Sequence, residues 1–267
     1  MKKLIVWLML LMTICSCTFA EGVKIAEVQK DKKYVVELKE KIRLYPPSEK
    51  GKRMYYTAQG CATDGEYGYF ITLFKAAYKG AIWKVKLSDW TIENTMYGLP
   101  LDHGNDAAYN SKKHQLVIVH NDPNKDVLSI VNPDTLEEIE QVKLPYKAYA
   151  ISYNEARDQY LIGISGSFDS YITDSDFNIV KRIPGIDTGI TKQGMDSDDT
   201  YIYFPQWDSD KDNNYIMVYD WDGNYVNCLT VNSTLEIESM FNVDGEIYIA
   251  FAGSGCKVYH GTIKEVE

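Results

Sequence analysis

Histidine and cysteine, the side chains that most often hold transition metals or act as nucleophiles, are scarce, at four and five in 267 residues. No two of His103, His114, His120 and His260 have zinc-ligand spacing. Cys15 and Cys17 fall in an N-terminal leader, and the other three, Cys61, Cys228 and Cys256, are an odd number that excludes a complete disulfide framework. One Cys228–Cys256 bridge remains open for an exported protein, beside the alternative of buried apolar thiols. Basic charge is also short: 28 Lys and Arg stand against 38 Asp and Glu. Such a surface repels phosphate backbones and argues against a nucleic-acid partner. Phosphate loops, dinucleotide fingerprints and nucleophile elbows are missing too. Gly163-Ile164-Ser165-Gly166-Ser167 lacks the final glycine of an elbow and reads as a turn.

Long apolar runs are confined to the first residues. Lys2 and Lys3 precede the apolar stretch Leu4–Ile14, and Cys15-Ser16-Cys17-Thr18-Phe19-Ala20 supplies small residues for a peptidase. Residues 1–20 therefore read as a secretory signal cleaved after Ala20, which places the protein outside the cytoplasm, secreted or at the cell surface. Ile14-Cys15-Ser16-Cys17 also fits a lipobox, with lipidation of Cys17 as the alternative. No later stretch approaches the ~20 apolar residues of a spanning helix. Cleavage removes two lysines and no acid, so 26 basic residues face 38 acidic ones, about −12.

What the chain does have is a repeat. Gln59-Gly60-Cys61-Ala62-Thr63-Asp64-Gly65-Glu66-Tyr67-Gly68-Tyr69-Phe70 lies over Gln193-Gly194-Met195-Asp196-Ser197-Asp198-Asp199-Thr200-Tyr201-Ile202-Tyr203-Phe204. Ala107-Ala108-Tyr109-Asn110 recurs as Ile151-Ser152-Tyr153-Asn154, and a fifth copy runs through Val243-Asp244-Gly245-Glu246-Ile247-Tyr248-Ile249. Tyr69, Leu116, Tyr160, Tyr203 and Tyr248 mark the same position in each copy. Every copy offers a small-residue strand, an Asp or Asn turn, a β-rich strand, a third strand ending in a turn, and a more polar fourth. Four strands per ~45 residues is the grammar of a propeller blade. The expected fold is a single all-β propeller of five four-stranded antiparallel blades. They are placed near 59–101, 102–145, 146–185, 186–232 and 233–267, after an N-terminal segment over 21–58. The last copy ends after its third strand, so Tyr34–Leu44 is expected to supply the missing outer strand and close the ring. A helix over Lys24–Lys41 is the competing reading, given the Glu, Lys and Ala there. Lys50-Gly51-Lys52-Arg53 reads as a connector.

Candidate chemistry follows from that geometry, because inner strands of a propeller converge on its channel. Aligning the copies stacks Gln59, Asn105, Tyr149, Gln193 and Glu238 at the channel mouth, with His103 and Asp106 beside Asn105. Such a ring of amides and acids suits a water cluster, a cation or sugar hydroxyls, or alternatively only satisfies backbone groups. If the protein is an enzyme, Asp106 and Glu238 are the candidate acid–base carboxylates. Asp208, Asp210 and Asp212 alternate like the start of a calcium loop. The sixth position there is not glycine and the twelfth is Tyr219, so a solvated loop competes with calcium, and no other cofactor is implied. Trp207, Tyr78, Phe168 and Trp90 are read as loop aromatics able to stack on sugar rings.

The pattern Gln-Gly-x-x-x-Asp-Gly-x-Tyr at 59–67, with His-Gly-Asn-Asp-x-x-Tyr-Asn at 103–110, resembles the five-bladed propellers of phage receptor-binding and teichoic-acid-associated proteins. The resemblance covers residues 59–118 and implies binding of a cell-surface glycopolymer through Gln59, Gly60, His103, Asn105 and Asp106. Gln59-Gly60 and the Glu238 segment also resemble propeller glutaminyl cyclases, though that family's tryptophan-rich signatures are absent. The leading expectation is recognition of an extracellular carbohydrate or glycopolymer at the channel mouth. A cyclase-like transferase or hydrolase, and a scaffold for another exported protein, are the alternatives.

Overall fold

The computed structural model describes residues 22–45, 56–74, 79–253 and 255–267. The signal read in residues 1–20, the connector at 50–53 and Tyr78 lie outside the described residues. After one 3₁₀ turn at Ile25–Glu27, strand β1 (Lys33–Leu44) precedes the blades, where a helix had been the competing reading. Blade one holds β2 (Tyr56–Thr63), β3 (Tyr67–Phe74), β4 (Lys79–Lys86) and β5 (Thr91–Leu99). Blade two holds β6 (Asp106–Asn110), β7 (Gln115–Val119), β8 (Val127–Val131) and β9 (Glu138–Lys143). Blade three holds β10 (Ala148–Asn154), β11 (Gln159–Ile164), β12 (Ser170–Thr173) and β13 (Ile179–Ile183). Blade four begins with a broken inner strand, β14 (Thr191–Lys192) and β15 (Asp196–Ser197), followed by β16 (Tyr201–Asp208), β17 (Asn213–Asp220) and β18 (Tyr225–Val231). Blade five holds β19 (Ile237–Val243), β20 (Glu246–Phe251) and β21 (Cys256–Val266).

The ring closes as the sequence implies. β1 runs antiparallel to β21 from Lys33↔Val266 to Leu44↔Cys256 and so becomes the outer strand of blade five. It also pairs in parallel with β18 through Val35↔Thr230 and Val36↔Val231, which merges the fourth and fifth blades into one sheet. That second seam covers two strand edges that would otherwise be open to pairing with other chains.

Packing is between blades rather than around one centre. Each interface has its own apolar cluster: Tyr69 and Ile82 meet Leu116 and Ile118, and Val117 and Leu128 meet Ile151 and Tyr160. Leu161 and Ile172 meet Ile202, Tyr203 and Leu229 meet Met240 and Ile249, and Phe241 and Val258 meet Phe70 and Trp83. The repeated tyrosines Tyr69, Tyr160 and Tyr203 are fully buried, and their hydroxyls are met by polar partners. Tyr69 donates to Asp64 Oδ2 at 2.7 Å and Tyr203 to Asp198 Oδ2, while Asn110 Nδ2 donates to Tyr160 at 2.8 Å. The same two aspartates accept backbone N–H groups of their own turns through Oδ1. The Asp of each turn thus shapes the hairpin and also satisfies the buried phenol.

No Cys228–Cys256 bridge forms. All three cysteines are free thiols, with Cys61 and Cys256 buried in the cluster between blades five and one and Cys228 on β18. Burial pushes the Cys61 thiol up, and the Cys228 thiol up to about 11.

Candidate functional site

Side chains alternate along a strand, so every second residue of an inner strand faces the axis. Two axial layers result. The lower one consists of Gly60, Asp106, Ala150, Gly194 and Ser239, four small residues and one aspartate. Asp106 is wholly buried, and its carboxylate crosses the axis to three other blades. Oδ2 accepts the backbone N–H of Ile151 at 3.0 Å and of Met195 at 2.9 Å, and Oδ1 accepts the Ser239 hydroxyl at 2.7 Å. There is no room for other side chains: a Cβ on Gly60 would lie 2.4 Å from Asp106 Cα, and one on Gly194 2.8 Å from Asp106 Oδ1. Burial pushes the Asp106 carboxyl up to about 8, against the hydrogen bonds that favour its charged form.

Asp106 therefore closes the axis instead of standing at an open mouth. It also accounts for the broken inner strand of blade four. Between β14 and β15, the N–H of Met195 turns to Asp106, and that of Gly194 turns to Glu238 O at 2.7 Å. Pro205 on the facing strand has no N–H to offer there.

The other ring residues lie at this closed end. Gln59 Nε2 turns back to Ala58 O at 2.5 Å, Asn105 Nδ2 donates to Tyr149 O at 2.6 Å, and Gln193 Nε2 donates to Glu236 Oε1 at 2.9 Å. Tyr149 is buried beneath the Lys192 ammonium, which stands 3.9 Å from its ring centre. Glu238 is buried too, and His103 is half-buried, its backbone N–H held by Asp122 O at 3.1 Å. Asn105 and Gln193 thereby join adjacent blades, whereas the Gln59 bond stays within its own strand and the His103 bond within its own blade.

Trp207 lies on β16 rather than in a loop, packed against the core between blades four and five with its indole N–H buried. Asp208, Asp210 and Asp212 do not converge. Asp208 ends β16 and accepts Lys211 Nζ at 3.0 Å, and the loop is a tight hairpin in which Asp208 pairs with Asn213. Among the described residues no three His, Cys, Asp or Glu side chains are grouped to hold a metal.

The opposite end of the axis, where the first turn of each blade lies, is open. Above the second layer, Ala62, Ala108, Ser152, Asp196 and Phe241, sits a well of about 190 Å³ to which all five blades contribute. Its aspartate was not singled out by the sequence, yet Asp196 carries the one carboxyl in that layer. Asp196 Oδ2 accepts both the backbone N–H and the Nδ2 of Asn242, each at 2.8 Å. Burial pushes the carboxyl up to about 7. Beside it, Ser152 and Ser197 share a hydroxyl contact at 2.8 Å, and Ser111 contributes a buried hydroxyl that no protein group meets. Tyr109 and Tyr153 form the rim, their hydroxyls held 2.9 Å from His114 Nδ1 and 2.7 Å from Asp158. The lining contains Asp64, Glu155 and Asp196 and no Lys, Arg or His.

With this geometry in hand, comparison with known proteins shows a fold. No family model matches the chain, and no curated protein matches it. The likeness is to a glutaminyl cyclase. The crystal structure of Myxococcus xanthus glutaminyl cyclase superposes with a TM-score of 0.63 over 88% of this chain and 99% of that one, at 11% identity. Hydrazine synthase of Kuenenia stuttgartiensis gives 0.46 at 14% identity, over 78% of this chain and 59% of that one. At such identities the resemblance concerns the propeller fold alone. Neither of these two structures is a phage receptor-binding protein.

Proposed function

We propose that this protein is an exported propeller that binds a carbohydrate, free or as part of a cell-surface glycopolymer, in the axial well. The reading moves the binding site from the closed end of the axis to the open one. The observation that carries it is the convergence of five blades on one small polar cavity with a carboxyl on its floor. A carboxyl, an amide and several hydroxyls suit the paired donors and acceptors of a sugar ring, and two fixed tyrosines flank the entrance. A lining with carboxylates and no cation disfavours a phosphate- or carboxylate-bearing unit in the well.

The test is an oligosaccharide array followed by calorimetry with Asp196→Asn. Binding that falls at least about tenfold in the variant supports the well. Undiminished binding would move the site elsewhere on the propeller. An array on which no sugar binds would end the carbohydrate reading.

A second reading is an acid–base enzyme in the same well. It is favoured by one observation, a floor carboxyl that burial brings to about 7, where it can both give and take a proton at neutral pH. Asp196 replaces Asp106 and Glu238 as the candidate residue. Turnover of hydrolase or cyclase substrates, abolished in Asp196→Asn, would select this reading over binding alone.

A further inference from the structure

The carbohydrate reading leaves open whether a chain would lie across the well or enter it by one end. Three features bear on this. First, the well is a dead end. Directly beneath its floor, Gly60, Ala150 and Gly194 crowd around the buried Asp106, so nothing threads through the axis. Second, its volume of about 190 Å³ suits one ring; a cavity of ~150 Å³ already holds a benzene molecule. Third, an open groove of about 760 Å³ continues from it toward blades three, four and five. Tyr153, Glu155, Ser197 and Asn242 line both, and the groove then passes Ala156 and Thr200 to reach Lys24 and Gly245. It thus runs over blades three, four and five.

From this shape we infer that the site reads the end of a saccharide chain: the terminal residue occupies the well and the following units leave along the groove. The inference rests on the carbohydrate reading. The groove's volume is that of an ordinary ligand cleft and leaves room for a few further units. Its walls carry Glu155, Asp198, Asp199 and Asp244 against the single cation Lys24, so a neutral or amine-bearing chain fits better than a polyanionic one.

The experiment uses the mature protein and an array of neutral, N-acetylated and amino-sugar oligosaccharides of one to six units. Each is attached in parallel through its reducing or its non-reducing end, and cyclodextrins serve as endless partners of linear malto-oligosaccharides. Binding in one orientation only, tightening over the first few units and then levelling, is the expected result. A second arm fills the groove with Ala156→Trp, at an exposed position outside the well. That variant should weaken longer oligomers by about tenfold while single residues bind as before. Equal binding in both orientations, or cyclodextrins binding as well as linear chains, would overturn end-on entry and leave carbohydrate binding standing. Failure of every sugar on the array would remove the carbohydrate reading and this inference with it.

Discussion

The firmest test of the architecture is the axial aspartate. In Asp106→Ala, the buried N–H groups of Ile151 and Met195 and the hydroxyl of Ser239 lose their acceptor. An orphaned buried donor costs about 1–3 kcal/mol. Three of them, partly relieved by local rearrangement, should destabilise the fold by about 3–6 kcal/mol. That is a large part of the ~5–15 kcal/mol typical of a domain. At about 2–4 °C per kcal/mol for a chain of this size, the midpoint of thermal unfolding should fall by roughly 6–24 °C.

Asp106→Asn should behave differently. Its carbonyl oxygen can accept both backbone N–H groups, and its amide can donate to Ser239 Oγ, as the protonated acid would. The sign of the pH dependence follows. The folded carboxyl titrates near 8, above the ~3.9 of an unfolded aspartate. The native state therefore holds an extra proton between these values. The stabilisation is complete below about pH 4 and is lost as the pH rises through 8. Thermal melts from pH 4 to 9 should show wild type falling relative to Asp106→Asn across that window. An alanine variant that melts with wild type would refute the closing role of Asp106. An asparagine variant as damaged as the alanine one would show that the charge itself is needed.

Three further outcomes can be checked with the same purified protein. Asp196→Asn should flatten part of the same pH dependence, with its midpoint near 7 because burial brings this carboxyl there, and a profile unchanged from wild type would contradict that burial. Deleting residues 21–45 removes β1 and opens both β21 and β18, so the truncated chain should aggregate or melt far below the full one; an unchanged midpoint would refute closure by the N-terminal strand. Millimolar calcium should leave the melting midpoint unchanged, since Asp208 is committed to Lys211 and the three loop carboxylates do not converge; a rise abolished by Asp210→Asn would restore the calcium loop.

The blades were legible because their signals are local and repeated five times. A turn Asp or Asn, a tyrosine or leucine four to six residues later and a third strand ending in a turn recur with the period of the fold, and the expected strand Tyr67–Phe74 matches to the residue. The closing strand was legible for a related reason: one blade was a strand short, and Tyr34–Leu44 alternates. The parallel seam between β1 and β18 was not, since two residue pairs leave no pattern in sequence. The ring at the channel mouth shows how a one-residue offset changes the meaning of a site. Gln59, Asn105 and Gln193 were conspicuous for being polar, but the residues after them face the axis. The Trp207 indole reads as a loop platform in sequence because β16 runs two residues further, to Asp208, than the acidic run suggests.

The two axial layers suggest how a five-bladed ring divides its centre into a sealed half and a receptive half. Five inner strands leave too little space for five large side chains at one level, so each layer is made mostly of small residues. In the lower layer the larger group is an aspartate reaching three blades, and the axis shuts. One pleat outward the layer again has a single aspartate, but it is joined by Phe241 on the wall and by hydroxyls. Above it a cavity opens. Asp196 accordingly keeps two bonds to Asn242 and remains open to the well, whereas Asp106 has all its contacts inside the fold. The same residue type thus serves closure in blade two and the candidate site in blade four.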